Sequence, residues 1–157
     1  MACQLSHQGQ KYIQIAAFQP DLAPNLGSLV RLGACFDAPV HVIEPCGFPF
    51  SMKLLRTRAL DYGEIADVRH HDDWGAFQKA RDGRLILLTT KAECVLWDFE
   101  FAPGDCLLVG QESAGVPPFV ADAADHAIRI AMPGAGRSLN VAIAAAIALG
   151  EAERQLR

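Results

Sequence analysis

No CxxC pair joins the five cysteines of this 157-residue sequence, and their odd number argues against a disulfide framework. Cys3, Cys35, Cys46, Cys94 and Cys106 therefore read as reduced thiols, with Cys35 and Cys106 set in apolar runs as small hydrophobes and zinc not expected. The opening MACQLSHQGQK lacks the charged and apolar regions of a signal peptide. The apolar run before Glu151 is shorter than the roughly twenty residues that span a bilayer. The expectation is a cytoplasmic protein without membrane or metal. A basic surplus is also missing: the net charge of −4 excludes coating nucleic acid by bulk electrostatics, a mode that needs a basic domain. Two local clusters remain, Lys53 with Arg56 and Arg58, and Arg69 with His70 and His71, the second adjoining Asp72 and Asp73. Neither GxxxxGK[ST] nor GxGxxG after a strand occurs, which removes the common phosphate-binding loops. GxSxG is absent as well, and Ser113 in QESAG lacks the first glycine of a nucleophile elbow, so hydrolysis becomes a minor option.

What is present fits one domain, 12–157, preceded by a polar lead-in, 1–11. Such a chain buries about two-thirds of its unfolded surface and holds a core without staples. Tyr12 to Phe18 reads as a strand stopped at Gln19-Pro20-Asp21. Pro24 suits the first turn of a helix whose Leu22, Leu26, Leu29 and Val30 recur at helical spacing, with Gly27, Ser28 and Arg31 on another, presented face. Further strands are expected at Val40–Ile43, Ile65–Val68, Arg84–Leu88, Leu107–Val109 and Ala127–Ile130. Between them lie a loop with exposed-looking aromatics at Cys46–Phe50, a helix from Ser51 to Arg58, one capped by Asp72 or Asp73 and running to Ala80, and a short one from Val116-Pro117-Pro118 toward Ala124. This alternation predicts an α/β fold, a mainly parallel sheet flanked by helices.

Ligands bind outside the carboxyl ends of the strands of such a sheet. Four of these ends carry unusual loops: Gln19 to Asn25, Leu88-Thr89-Thr90-Lys91, Gly110 to Gly115, and Met132 to Asn140. Glycine and small polar residues let a backbone approach a ligand closely, so the loops are expected to form one pocket. After the last loop, with Ser138 or Asn140 as N-cap, comes an apolar helix to Gly150. Its apolar residues cover nearly every side, which requires enclosure by the sheet, by a second subunit, or by both.

Three ordered segments carry a resemblance: Pro24-Asn25-Leu26-Gly27 with Arg31; Gly110-Gln111-Glu112-Ser113-Ala114-Gly115-Val116-Pro117; and Ile130-Ala131-Met132 with Arg137-Ser138-Leu139-Asn140. They resemble the motifs of the SPOUT class of S-adenosylmethionine-dependent RNA methyltransferases, over about Ile13 to Gln155. The segments Val42-Ile43-Glu44-Pro45 with Gly47-Phe48, Leu60-Asp61-Tyr62, Arg69-His70-His71-Asp72 and Leu88-Thr89-Thr90-Lys91 are similar to the TrmL-like subfamily. Its members methylate the 2′-oxygen of the wobble cytidine or uridine ribose in tRNA. Gln111, Ala114 and Ala131 depart from the usual family residues and bear on substrate preference more than on activity.

The resemblance implies a carboxyl-terminal deep trefoil knot that forms the cofactor pocket, and a homodimer with the site at the subunit interface. It assigns S-adenosylmethionine to Leu88, Thr89, Gly110, Glu112, Ile130, Met132 and Ser138, and catalysis to Arg31, Asn25, Ser138, Asn140 and Glu112. Lys53, Arg56, Arg58, Arg69 and Arg137 become candidates for tRNA phosphate contacts, with Phe48 or Tyr62 for base stacking. A guanidinium stays protonated in proteins. Arg31 is therefore read as orienting the hydroxyl or adjacent phosphate and stabilising developing alkoxide, with the proton's final acceptor open. Glu112 and Asn140 have a structural alternative, loop bracing or helix capping. The same chemistry on another RNA, or a catalytically silent RNA-binding module, are the alternatives to the wobble reading.

Overall fold

A computed structural model describes residues 12–58 and 66–157, without the side chains at 56 and 58. The lead-in 1–11, Tyr62 and the Leu60-Asp61-Tyr62 segment lie outside the described residues. Seven parallel strands form one sheet: β1 (Gln14–Phe18), β2 (Val40–Ile43), β3 (Val68–His71), β4 (Leu85–Leu88), β5 (Cys94–Val95), β6 (Cys106–Val109) and β7 (His126–Arg129). Their spatial order is β3-β2-β1-β6-β4-β7-β5. The chain first builds outward from β1 to β3, then crosses to β4 and β5. It finally returns, placing β6 between β1 and β4 and β7 between β4 and β5.

The central strands β1, β6 and β4, with β2, are covered on both faces, and β4 and β6 accordingly read as continuous apolar runs rather than alternations. Ile15 and Ala17 of β1, with Leu107 and Val109 of β6, enter a core shared with α1 (Ala23–Phe36) and α5 (Val141–Leu156). Ala16 and Phe18 point the other way, into a second core with Phe77 of α3 (Trp74–Ala80) and Val120 of α4 (Pro118–Ala123). Leu107, Leu108 and Ile86 are fully buried, each such side chain stabilising by about 1.5–3 kcal/mol. Ser51 precedes the remaining helix, α2 (Met52–Arg58), and its hydroxyl accepts from Leu54 N–H at 3.0 Å.

Several elements differ from the sequence expectation. The third strand lies at Val68–His71 and not Ile65–Val68. Its register against β2 pairs Val68 with Val40 and His71 with Ile43, and the buried residue is a histidine held by a polar partner. Strand β5 is two residues long, followed by a 3-10 turn at Leu96–Asp98, too short for any periodicity to announce. Helix α5 runs through Gly150 to Leu156, because Gln155 ties its end to the sheet's edge. Gln155 Oε1 accepts from Phe101 N–H and its Nε2 donates to the Phe99 carbonyl, both at 2.9 Å. That helix buries only Ala145, Ala148, Leu149 and Ala152 within its own chain, a single stripe at helical spacing. Cys35 is exposed while Cys106 is buried. Gly27 is buried rather than on the presented face of α1, where Ser28 and Arg31 are exposed. The aromatics of the Cys46–Phe50 loop are half-buried: Phe48 and Phe50 pack on the core, and Phe50 stacks on His70 with ring centroids 5.0 Å apart.

Candidate active site

Because all seven strands are parallel, their carboxyl ends share one edge of the sheet, and β1, β6, β4 and β7 are immediate neighbours there. The four loops singled out in sequence are exactly the ones these strands emit, which places them side by side. Sheet order alone thus gathers segments more than a hundred residues apart.

The β1 and β6 loops meet first. Gln19 takes a left-handed backbone (φ 44), turning the chain sharply out of β1, and its N–H donates to the Ile43 carbonyl at 2.8 Å. The β6 loop closes on itself: Gln111 and Gly115 exchange backbone hydrogen bonds of 2.9 and 2.8 Å. Gly110 sits against that closure so tightly that a Cβ would lie 2.5 Å from the Gly115 carbonyl carbon, so only glycine fits. At the tip of this loop the Asp21 carboxylate accepts from Glu112 N–H at 3.2 Å, from Ser113 N–H at 3.3 Å and from the Ser113 hydroxyl at 2.5 Å. The hydroxyl bond, more than any other contact, holds the Asp21 carboxyl below its ordinary pKa.

A side-chain chain then joins three loops. Asn140 caps α5, its Oδ1 accepting from Ala142 and Ile143 N–H at 2.9 and 3.3 Å. A cap of this kind is worth about 1 kcal/mol. With that oxygen engaged, Asn140 Nδ2 donates to Asn25 Oδ1 at 3.0 Å, and Asn25 Nδ2 donates to Glu112 Oε2 at 2.5 Å. The polarity is one-way: every amide passes a hydrogen toward Glu112, which receives it as a carboxylate oxygen. Asn140, rather than Ser138, is the N-cap. Asp21, Leu22, Asn25, Gly110, Glu112 and Val141 line a small cleft here.

On the other side, Thr89 N–H donates to the Ile128 carbonyl at 2.9 Å, holding the β4 loop against β7. Leu88, Ile130 and Met132 are half-buried along this margin, outside the Asp21–Glu112 cleft. Ser138 and Arg137 are exposed in the loop before α5, and Arg31 is exposed on α1.

The basic candidates are unequal. Lys53 is exposed on α2. Arg69 is already engaged: its guanidinium grips Asp67 through two hydrogen bonds of 3.2 and 2.7 Å, and this partner pushes its pKa up. Phe48 is packed against the core rather than presented as an open platform. The cysteines are poor nucleophiles where burial acts on them, with the thiols of Cys46 and Cys106 both pushed up to about 12. Among the described residues no three His, Cys, Asp or Glu gather into a metal cage, and no helix is long and apolar enough to cross a membrane.

Asn25, Glu112 and Asn140, named from the motifs, are joined here by hydrogen bonds, whereas the motifs did not point to Asp21 and Ser113 as partners. Asp21 stands in a loop that was singled out, but beside Pro20 it reads as a strand breaker. The remaining signal, an acidic residue four positions before Asn25, becomes meaningful only once β6 is known to neighbour β1.

Residues 12–150 match the SpoU rRNA Methylase family. The chain is similar to a tRNA (cytidine(34)-2′-O)-methyltransferase of Ancylobacter novellus, 42% identical over 146 residues that cover 91% of this chain and 92% of that one. Among solved structures it is similar to one described as giving structural insights into the 2-OH methylation of C/U34 on tRNA. That match has a TM-score of 0.87 and 37% identity, and covers 94% of this chain and 98% of the other. It is also similar to an AdoMet-bound rRNA methyltransferase from Sinorhizobium meliloti, with a TM-score of 0.77 and 25% identity, covering 96% of this chain and 59% of that one.

Proposed function

The chain belongs to the SpoU rRNA methylase family, and from that membership we propose that it moves a methyl group from S-adenosylmethionine to the ribose 2′-oxygen of nucleotide 34, a cytidine or uridine, of tRNA. The observation that carries this reading is coverage: the likeness to the cytidine(34) enzyme extends over nine-tenths of both chains and is not confined to one motif.

The edge of the sheet suits the cofactor. Gly110 lets the β6 loop close tightly on Gly115, and Gly134 and Gly136 have open space where a Cβ would stand. Leu88, Thr89, Gly110, Ile130, Met132 and Ser138 would hold it, largely through backbone groups on three neighbouring strand ends, with Glu112 beside them. When bound, S-adenosylmethionine supplies a methyl group already activated by its sulfonium. What the protein must add is alignment and help with a hydroxyl that is a weak nucleophile at neutral pH. Arg31 orients that hydroxyl or its neighbouring phosphate and stabilises the developing alkoxide. Asn25, Glu112 and Asn140 act as one hydrogen-bonded frame whose geometry the α5 cap sets, and Ser138 completes the wall. Lys53, Arg56, Arg58 and Arg137 take phosphates, while Arg69 does so only by leaving Asp67.

The chain acts as a homodimer in the cytoplasm, where its tRNA is. The uncovered side of α5, with Ile143 54% exposed, supports a second copy packing there. The order in which β6 and β7 insert among earlier strands is compatible with the carboxyl-terminal trefoil knot of the class. The role of Arg31 is tested by Arg31→Ala. Methyl transfer should fall by about 100-fold while calorimetric affinity for S-adenosylhomocysteine is unchanged. If affinity falls in step with rate, Arg31 belongs to the cofactor pocket.

A further inference from the structure

Outside the residues given roles above, the most heavily bonded polar group at the functional edge is the Asp21 carboxylate. We infer that Asp21 is a positioning residue, a latch that clamps the tip of the β6 loop so that Glu112 meets Asn25.

Two consecutive backbone N–H groups, of Glu112 and Ser113, point at one carboxylate, together with the Ser113 hydroxyl. Glu112 N–H donates to Oδ1 and Ser113 N–H to Oδ2, and successive amides reach the two oxygens of one carboxylate only in a turned backbone, so this contact specifies the conformation of the tip. The base of the loop is fixed separately by the Gln111–Gly115 exchange. Asp21 and the bridge thus hold a short turn at both ends, and the side chain it carries, Glu112, is aimed at Asn25, four residues beyond Asp21 on the same segment. The β1 loop therefore grips the β6 loop twice, the Asp21 carboxylate holding its backbone and Ser113 hydroxyl and the Asn25 amide holding the Glu112 side chain.

Asp21 is itself immobilised from behind. Gly47 N–H donates to the Pro20 carbonyl at 2.9 Å, and a Cβ on Gly47 would lie 2.8 Å from the Asp21 Cα, so the β2 loop backs directly onto it. The latch is on at neutral pH, since the Ser113 hydroxyl favours the ionised carboxylate. Its function follows from the demands of methyl transfer: an error near 1 Å in placing groups around the reacting atoms costs about 100-fold in rate.

This inference rests on the methyltransferase reading, and the experiment separates the two. Wild type, Asp21→Ala, Asp21→Asn and Ser113→Ala are compared for kcat and KM on tRNA, for S-adenosylhomocysteine affinity and for thermal midpoint. Asp21→Ala removes all three bonds and should lower kcat by about 100-fold with KM for tRNA and thermal midpoint little changed. Ser113→Ala keeps the two backbone bonds and Asp21→Asn keeps one acceptor oxygen. Both should fall between Asp21→Ala and wild type, and Ser113→Thr, which restores a hydroxyl, should recover wild-type kcat. An Asp21→Ala protein with wild-type kcat overturns the latch, as does a loss of kcat matched by an equal loss of thermal midpoint in every variant. A wild type inactive on every RNA overturns the methyltransferase reading itself.

Discussion

His41 shows how far a single residue's behaviour is set by what surrounds it. It sits in the middle of β2, 1% exposed, with Nε2 2.9 Å from Gln14 Oε1 and Nδ1 2.8 Å from His71 Nε2. Gln14 Nε2 donates to the Gly104 carbonyl and to Asp82, so its oxygen is the group facing His41, which must donate from Nε2. The neutral ring then accepts at Nδ1 from His71. Burial, reinforced by His71, pulls the pKa of His41 down to about 4, and burial lowers that of His71 as well. The unfolded chain takes up these protons first, near the ordinary histidine value. The stability contributed by the neutral pair is therefore present above about pH 6.5 and is lost progressively as pH falls toward 4. Denaturant midpoints should drop between pH 6.5 and 5, before most carboxylates titrate. A variant with both His41→Leu and His71→Leu should lose that slope; an equal slope in both proteins would contradict the assignment.

Among the elements, α5 carries the most weight. Its cap organises the functional edge, its buried stripe closes one core, and its last turn is docked through Gln155. The face left over bears Ile143, 54% exposed among the described residues. If a second copy packs there, the protein sediments at twice the 17.0 kDa chain mass, and Ile143→Asp, which sets a charge in that contact, shifts it to the monomer. A monomeric wild type at micromolar concentration would remove the dimer from the account. The elements also show what the sequence could disclose. Apolar runs covered on both faces, as at Leu85–Leu88 and Cys106–Val109, announce strands of a parallel sheet without any tertiary knowledge. The polar β3, whose buried residue is a histidine satisfied by another histidine thirty positions away, announces nothing locally. The same holds for the site: motif residues Asn25, Glu112 and Asn140 were legible, whereas Asp21 and Ser113 become partners only through the β1–β6 pairing.

For the whole molecule, the open matter is how a chain with net charge −4 handles a polyanion. Lys53 on α2 and Arg137 in the loop before α5 are exposed cations, and Arg69 is held by Asp67. If these cations take tRNA phosphates, a dimer doubles the contacts without changing the sign of the net charge. The functional edge is correspondingly built for alignment: neighbouring strand ends, a glycine that admits no side chain, and a one-way hydrogen-bonded frame ending at Glu112. The most direct test of the central claim is to incubate the purified protein with S-adenosylmethionine and unmodified tRNA transcripts and map every 2′-O-methyl group by nuclease digestion and mass spectrometry. The account predicts one new methyl group, on the ribose of nucleotide 34. An unmodified nucleotide 34, with or without methylation elsewhere, would contradict it.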